Sequence, residues 1–179
     1  MNNKRKKLIT DIALSSIFIA VIVVSAQITV PMPYGVPVTL QTLTVALCGY
    51  CLGAKRSISS VAVYILMGII GIPVFSNFNA GLAALVGKTG GFIWGFIPLV
   101  AACGLSQTAD KRFFRLIGGI IGLACCHLIG IIWFMHLTGS GFIATALMVS
   151  VPFLIKDVVC VVVSELAAEK LKRTRVLKN

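Results

Sequence analysis

The chain has 179 residues, of which 58% are hydrophobic and only 12% are charged, and its mean hydropathy is +1.02. Soluble domains carry about twice that charged fraction, because a polar shell has to cover their core. The composition therefore excludes an ordinary soluble globule and indicates a protein that is solvated by lipid.

The 16 Lys and Arg residues outnumber the 5 Asp and Glu residues, which gives a net charge of +11. Groups of four, two, three and five of these bases lie in residues 4–7, 55–56, 111–115 and 170–178, between the apolar blocks. Basic residues at the ends of apolar segments are typical of loops that stay on the cytoplasmic side of a membrane. With both termini inside, the external connections contain a single base, Lys88. The distribution of the basic residues therefore predicts the orientation of the chain in the membrane. It also argues against a nucleic-acid partner.

Apolar blocks separated by turn-forming residues predict six membrane helices. The middle blocks are shorter than the roughly 20 residues that cross the hydrocarbon core, so we expect them to extend into flanking backbone that the protein shields. In chain order the predicted helices cover residues 8–28, 38–52, 58–72, 92–105 and 113–137, with a last helix that ends near Leu171.

These spans and charges together predict an all-α integral membrane bundle of six transmembrane helices, with the N- and C-termini cytoplasmic. The internal connections are short and basic, which leaves no room for a soluble domain. We therefore predict a single transmembrane domain over residues 1–179, with short basic cytoplasmic tails at about 1–7 and 172–179. The expected location is the plasma membrane, where the chain crosses the lipid several times.

Pro152 leaves two interpretations of the last helix. It could kink a long helix that begins at Phe142, or it could occupy the first turn of a shorter helix. We favour the shorter helix, over residues 152–171, because 20 residues make a full crossing and Ser150 can cap its start. Residues 142–149 then form a separate short piece near the outer surface.

Ionisable and polar side chains inside membrane helices are costly to insert and are therefore candidates for function. Asp157 directly follows Lys156, about one turn inside the outer end of the last helix. Two interpretations stay open: an ion pair at the outer interface, or a set of polar contacts to a ligand between helices. Gln41 and Asn79 supply amide groups that could converge on the same cavity. We interpret His127, in the fifth helix, as a packed neutral imidazole.

Two external connections, residues 31–37 and 71–92, are rich in Gly and Pro and contain almost no charge. Connections of this kind with aromatic residues are good walls and lids for a small-molecule cavity. A plain connecting role is the alternative.

The sequence offers no catalytic or metal-binding constellation. All six cysteines fall inside apolar segments, so we interpret them as small buried side chains. No Ser/His/Asp set and no pair of carboxylates in one external cavity is evident. We therefore expect no enzyme, no metal site and no cofactor in this chain. A purely structural or pore-forming bundle is a further alternative, which saturable binding of one small molecule would exclude.

Small residues four positions apart occur on three predicted helices. This spacing lets helix backbones approach closely, and most such pairs pack the helices of one protein together. The spacing alone does not say which pair contacts another protein. The pairs are Ser16 and Ala20, Gly91 and Gly95, and Gly118 and Gly122.

Four separated motifs resemble the BioY family of biotin transporters. They are PVTLQTL at residues 37–43, GIPVF at 71–75, GKTGGFIWGF at 87–96, and Pro-Phe at 152–153 followed by Asp157. Their order and spacing both match, and the likeness covers nearly the whole chain.

The resemblance implies the substrate-binding S component of an energy-coupling-factor (ECF) transporter. Such a protein binds biotin with high affinity at the outer face of the membrane and takes it into the cell. A transmembrane T component and two cytoplasmic ATPases, which use ATP, would be its partners. An S component for thiamine or riboflavin is the alternative within transport, and a small membrane enzyme is a more distant one.

The resemblance also implies roles for particular residues. Asp157 would accept a ureido N–H of biotin, Gln41 or Asn79 would bond the remaining ureido atoms, and Lys156 or Lys88 would neutralise the carboxylate. Three aromatic side chains would cover the ring system. The full set of predicted ligand-binding residues is Tyr34, Thr39, Gln41, Phe75, Asn79, Lys88, Phe92, Lys156 and Asp157.

The chain departs from the family pattern in the last helix, where members often carry a lysine at the position of Cys160. Lys156 lies four residues earlier and therefore on the same helix face, so we predict that the charge is relocated rather than lost. In the first helix, Ser16 and Ala20 are an imperfect match to the small-residue motif that commonly contacts the T component. We predict them as the partner interface.

Overall fold

The computed structural model describes residues 3–174, and eight α-helices with one short two-stranded ladder form its framework. The predicted tails continue into residues 1–2 and 175–179, which lie outside the described residues. The helices are α1 Asn3–Gln27, α2 Gln41–Leu52, α3 Ala54–Ile69, α4 Leu82–Val86, α5 Gly90–Ser106, α6 Arg112–Thr138, α7 Phe142–Val149 and α8 Val151–Arg173. The strands are β1 Thr29–Val30 and β2 Val38–Thr39.

The six helices of 12 or more residues correspond in order to the six predicted membrane helices. By length and composition α1 and α6 can each cross a membrane, and α7 with α8 passes the same test as one span bent by 54°. The apolar helices α2 and α5 are shorter. With 12 residues, α2 rises only about 18 Å, which is less than the roughly 30 Å hydrocarbon core. Other helices of the bundle must therefore shield its ends.

The second helix begins at Gln41 rather than at residue 38, so that part of the prediction is wrong. Val38 and Thr39 instead pair with β1 as an antiparallel strand, in which Thr39 lies opposite Thr29. Both side chains are β-branched, and Pro37 precedes them. The β-branched side chains favour extended backbone, and proline is compatible with it as well as with a helical start. The ladder closes the first connection over the end of α1.

The break between α7 and α8 confirms the shorter of the two interpretations, because α8 begins at Val151 with Pro152 in its first turn. The predicted side-chain cap is wrong. The Ser150 hydroxyl makes no capping hydrogen bond and lies instead 2.8 Å from Nδ1 of His127. The bend therefore ties α8 to α6 through a side chain.

The second connection is more structured than predicted, since it contains a 3-10 turn at Ser76–Phe78 and the short helix α4. The turn is fastened to the end of α1. The backbone N–H of Phe78 donates to Oε1 of Gln27 at 2.9 Å, and the Thr29 hydroxyl donates to Oδ1 of Asn77 at 2.8 Å. Asn77 and Phe78 both adopt positive φ angles, of 57° and 56°, which non-glycine residues rarely do.

Glycines allow α5 and α6 to pack closely inside the bundle. A Cβ on Gly95 would lie 2.9 Å from the Cα of Cys126, and a Cβ on Gly118 would lie 2.3 Å from the side chain of Ser106. Both distances are shorter than any real carbon contact, so these positions require glycine. The glycine pairs therefore serve internal packing.

Ser16 and Ala20, in contrast, are exposed on α1. They line an apolar groove between α1 and α3 together with Val63, Met67 and Pro73. The pair is therefore accessible to another protein in the membrane, and its role as a partner interface stays a prediction.

Ion pairs bring the basic segments together at one end of the bundle, which we call the basic end. Arg56 at the start of α3 contacts Asp11 of α1 at 2.7 Å. Arg115 at the start of α6 contacts Glu165 of α8 at 2.8 Å, and Arg112 contacts the same carboxylate at 3.2 Å. Glu165 is buried, with 2% of its side chain exposed, and it connects α8 to α6 through these two arginines.

Candidate functional site

A cavity lies at the end of the bundle opposite the basic end, and we call it the main cavity. The first connection with β2, the start of α2, the second connection, the start of α5, the middle of α6 and the start of α8 all contribute to its wall. Its volume is about 60 Å³, enough for a few water molecules. Six of the nine predicted ligand-binding residues line it: Thr39, Gln41, Phe75, Phe92, Lys156 and Asp157.

Asp157 is the buried charge in this cavity, with 8% of its side chain exposed. Its Oδ1 atom lies 2.5 Å from Nζ of Lys156, and its Oδ2 atom lies 3.3 Å from Nε2 of His127. Thr42 on α2 lines the same cavity. Oδ1 is fully buried and, despite the ion pair, receives no hydrogen bond. A carboxylate offers about four lone-pair sites, so Asp157 keeps acceptor capacity for a ligand.

Lys156 connects this carboxylate to the first connection. Its Nζ donates to the backbone carbonyl of Thr39 at 2.8 Å, across a sequence distance of 117 residues. The Lys156 side chain is 29% exposed, and its ammonium has three N–H donors. One donor is used by Thr39, and the carboxylate of Asp157 neutralises the charge. Lys156 therefore holds β2 against α8 at the mouth of the cavity.

Cys160, at which the resemblance implies a lysine, is buried in α8 and is not among the residues that line the main cavity. Lys156 does line it. This placement supports the relocated charge, which stays a prediction. None of the six cysteines forms a disulfide. Within residues 3–174 no group of three or more His, Cys, Asp or Glu side chains is arranged to hold a metal ion.

Gln41, at the start of α2, is buried and already partly bonded. Its Nε2 donates to the Tyr64 hydroxyl at 2.8 Å, and its Oε1 accepts from the Thr39 hydroxyl at 3.1 Å. A second N–H of the amide is left for another acceptor. These bonds fix the orientation of the amide before a ligand binds. A freely rotating side chain would lose conformational entropy on binding.

Aromatic rings form the apolar wall. Phe75, in the second connection, is only 1% exposed and packs edge-on against Tyr64, with ring centroids 5.5 Å apart. A Cβ on Gly68 would lie 2.0 Å from its ring, so the glycine is what makes room for it. Phe92 of α5 packs edge-on against the His127 ring, with centroids 6.0 Å apart.

A second cavity, which we call the rim cavity, lies beside the main cavity and shares Pro37, Phe75, Ser76 and Thr89 with it. The structure places two predicted ligand residues here instead of in the main cavity. They are Asn79 and Lys88, and both are exposed. The Asn79 amide donates to the Ser76 carbonyl at 3.0 Å. The expected convergence of Asn79 with Gln41 is therefore not present in this conformation.

Tyr34 is 45% exposed and lines neither cavity. It lies in the first connection, three residues before Pro37. Its predicted contact with a ligand stays a prediction, and a closer approach would require that connection to move.

Several residues of the main cavity were not predicted as ligand contacts. His127 is the most important, because it was interpreted as a packed core side chain, and it is both buried and part of the cavity wall. A polar side chain in a membrane helix is the signal that could have identified it. Phe96 and Phe153 add two further rings to the wall, and both lie in motifs that carry the resemblance, at residues 87–96 and 152–153.

Comparison with known proteins agrees with this architecture. The sequence profile of the BioY family matches residues 1–176. A relative named biotin transporter BioY, from Thermotoga maritima, is 38% identical over 167 residues, which cover 90% of this chain and 95% of that protein. A relative named probable biotin transporter BioY, from Pyrococcus horikoshii, is 34% identical over 164 residues, which cover 90% and 96%.

The fold is similar to the solved structure of the S component for biotin from an ECF-type ABC transporter. The TM-score is 0.86 at 23% sequence identity, over 97% of this chain and 95% of that chain. This likeness confirms the prediction of an all-α membrane bundle. The family profile matches nearly the whole chain, and each of the two relatives aligns with 90% of it. These matches establish the family. The chain belongs to the BioY family.

Proposed function

We propose that the chain binds biotin with high affinity at the outer face of the cell membrane and takes it up as the S component of an ECF-type transporter. Relatives that bear the name biotin transporter support the substrate. The observation that carries the proposal is the main cavity, which combines one buried carboxylate with aromatic walls.

The ureido group of biotin matches the polar side of the cavity. It offers two N–H donors and one carbonyl acceptor. Asp157 has free acceptor sites for an N–H, and the second N–H of the Gln41 amide can donate to the carbonyl. Each ligand group that is buried against such a partner avoids a penalty of about 1–3 kcal/mol for an unsatisfied polar atom.

The apolar bicycle of biotin matches the aromatic side of the cavity. Phe75, Phe92, Phe96 and Phe153 line it from the second connection, α5 and α8. Burial of apolar surface contributes about 25 cal/mol per Å², and aromatic rings supply large, rigid contact areas. The cavity of about 60 Å³ is smaller than pockets that bury a small ligand. Biotin must therefore enter by movement of the two connections that cover it.

The carboxylate of biotin can reach the rim cavity, which adjoins the main cavity along Phe75 and Thr89. Lys88 is exposed there. Lys156 is already ion-paired with Asp157 and bonded to Thr39. We therefore assign the carboxylate to Lys88 and the stabilisation of the Asp157 charge to Lys156.

The basic end, in this proposal, faces the cytoplasm and both termini lie inside, since positive residues stay on that side. The main cavity then opens to the outside. The partners are a transmembrane T component, which would contact the exposed Ser16 and Ala20 on α1, and two cytoplasmic ATPases that use ATP. The chain itself then acts by binding and needs no cofactor and no catalytic group.

An uptake experiment tests the proposal. Labelled biotin is offered to a host that lacks its own biotin transporter and expresses the chain with or without a T component and two ATPases. The expected result is energy-dependent biotin accumulation that requires the chain together with its partners. Accumulation of thiamine or riboflavin instead would replace the proposed substrate, and no accumulation of any vitamin would reject the transport function.

A further inference from the structure

The buried histidine on α6 has a partner on each side of its ring. Nδ1 of His127 lies 2.8 Å from the hydroxyl of Ser150, at the bend between α7 and α8. Nε2 lies 3.3 Å from Oδ2 of Asp157 on α8. The Phe92 ring packs against the imidazole at nearly a right angle, and the His127 side chain is only 7% exposed. The imidazole is therefore held in one orientation by three different parts of the chain.

These contacts restrict where the imidazole proton can lie. A neutral ring with its proton on Nδ1 would turn the lone pair of Nε2 toward the Asp157 carboxylate, which is repulsive. A neutral ring with its proton on Nε2 donates toward Asp157 and accepts from the Ser150 hydroxyl. A protonated ring donates toward both. In each favourable state Nε2 carries its proton on the side of the carboxylate.

The carboxylate is thereby held from two sides at once. Lys156 contacts Oδ1 from the adjacent position on α8. His127 approaches Oδ2 from a different helix, α6. A buried carboxylate with one fixed rotamer presents its remaining lone pairs in a fixed direction. Recognition of a ligand N–H depends on that direction, because hydrogen bonds weaken steeply when they are misaligned.

We propose that His127 is a positioning residue, which orients the Asp157 carboxylate toward the ligand through the contact of its Nε2 with Oδ2. The inference rests on the proposed function, since biotin is the ligand whose N–H the carboxylate receives. His127 acts through Asp157 and not as a general packing residue of α6. Its contact with Ser150 fixes the orientation of the ring, and its contact with Asp157 restricts the orientation of the carboxylate.

Two substitutions separate these contacts. In His127→Gln the side-chain amide can occupy the place of Nε2 and donate to Asp157. In His127→Asn the shorter amide takes the place of Nδ1, so it can contact Ser150 but does not reach the carboxylate. The two variants are similar in polarity, and their comparison therefore isolates the contact with Asp157 from the loss of the ring.

The experiment is calorimetric titration of biotin into the purified full chain and its variants, with thermal unfolding as a check of folding. We expect His127→Ala and His127→Asn to bind biotin at least tenfold more weakly, and His127→Gln to stay within about threefold of the unmodified chain. These fold-changes correspond to the loss or misalignment of one hydrogen bond between the ligand and the charged carboxylate. In a chain that already carries Asp157→Asn, His127→Ala should weaken binding by less than about threefold.

Three results would overturn the inference: unchanged binding by His127→Ala, equal binding by the Gln and Asn variants, or a full tenfold loss from His127→Ala in the Asp157→Asn background. If the Ala variant unfolds, the Gln and Asn pair still decides the matter. Absence of biotin binding by the unmodified chain would instead reject the proposed function, so the two failures are distinguishable.

Discussion

Substitution of Asp157 by Asn removes the charge of the main cavity while it keeps the shape of the side chain. The carboxylate is 8% exposed and lies beside Lys156 and His127. A hydrogen bond to a charged group contributes about 1.5–3 kcal/mol. Loss of the whole contact would therefore correspond to roughly 10- to 150-fold weaker binding. Asn keeps an acceptor oxygen, so we expect Asp157→Asn to lie near the lower end of this range, at about tenfold.

Substitution of Asp157 by Ala should have a larger effect. Like Asp157→Asn, the change leaves the ammonium of Lys156 without its acid, and it also removes the acceptor and the volume of the side chain. An ion pair that loses one partner leaves an uncompensated charge, which is more costly than the loss of the contact itself. We expect Asp157→Ala to bind biotin more weakly than Asp157→Asn and to unfold at a lower temperature.

The assay is calorimetric titration of biotin into the chain purified in detergent from a biotin-depleted host. Asp110→Asn is the matched control, because Asp110 is an exposed carboxylate in the α5–α6 connection at the basic end. The control should bind like the unmodified chain. If Asp157→Asn also binds within about threefold of that value, Asp157 does not recognise the ligand and the assignment of the site is wrong.

Four further predictions use other parts of the structure. Gly68→Ala places a Cβ 2.0 Å from the Phe75 ring, so it should lower the unfolding temperature and weaken biotin binding about tenfold; unchanged binding would show that Phe75 does not shape the site. Glu165→Ala removes the acid shared by Arg112 and Arg115 and should destabilise the chain by up to about 3 kcal/mol in thermal unfolding; an unchanged midpoint would contradict the role of this cluster. Lys88→Ala should weaken biotin severalfold and leave an uncharged biotin amide unaffected, whereas an equal loss for both would exclude a contact with the carboxylate. Ala20→Leu should leave biotin titration unchanged and reduce co-purification with a T component, and undiminished co-purification would place the interface elsewhere.

Much of the fold follows from the sequence because long apolar segments have few alternatives in lipid. The positions of α1 and α6 and the break before Pro152 are all available from hydropathy and helix breakers. The errors in the predicted secondary structure have physical causes. Val38 and Thr39 join a strand only because Thr29 and Val30 lie opposite them, and such a pairing across a connection is not visible in a hydropathy pattern. The helix α4, with only five residues, is too short to have a period.

The site was less predictable than the fold, because side chains from six parts of the chain meet in it. Asp157 could be selected alone, since a charge in a membrane helix is rare. The role of His127 depends on Ser150 and Asp157, which lie 23 and 30 residues away and reach it only through the packing of α6 against α8. Asn79 has the right chemistry in the sequence, but the turn at Ser76–Phe78 directs its amide to a neighbouring carbonyl. The sequence therefore identified the polar residues of the site, but it could not predict the direction in which each side chain points.

Binding of biotin in the main cavity should need no protein other than this chain. A titration of the purified chain with biotin, desthiobiotin, thiamine and riboflavin measures this. We expect saturable one-to-one binding of biotin, no binding of thiamine or riboflavin, and a loss of about tenfold or more in affinity with Asp157→Asn. No binding of biotin, or equal binding of all four compounds, would contradict this expectation.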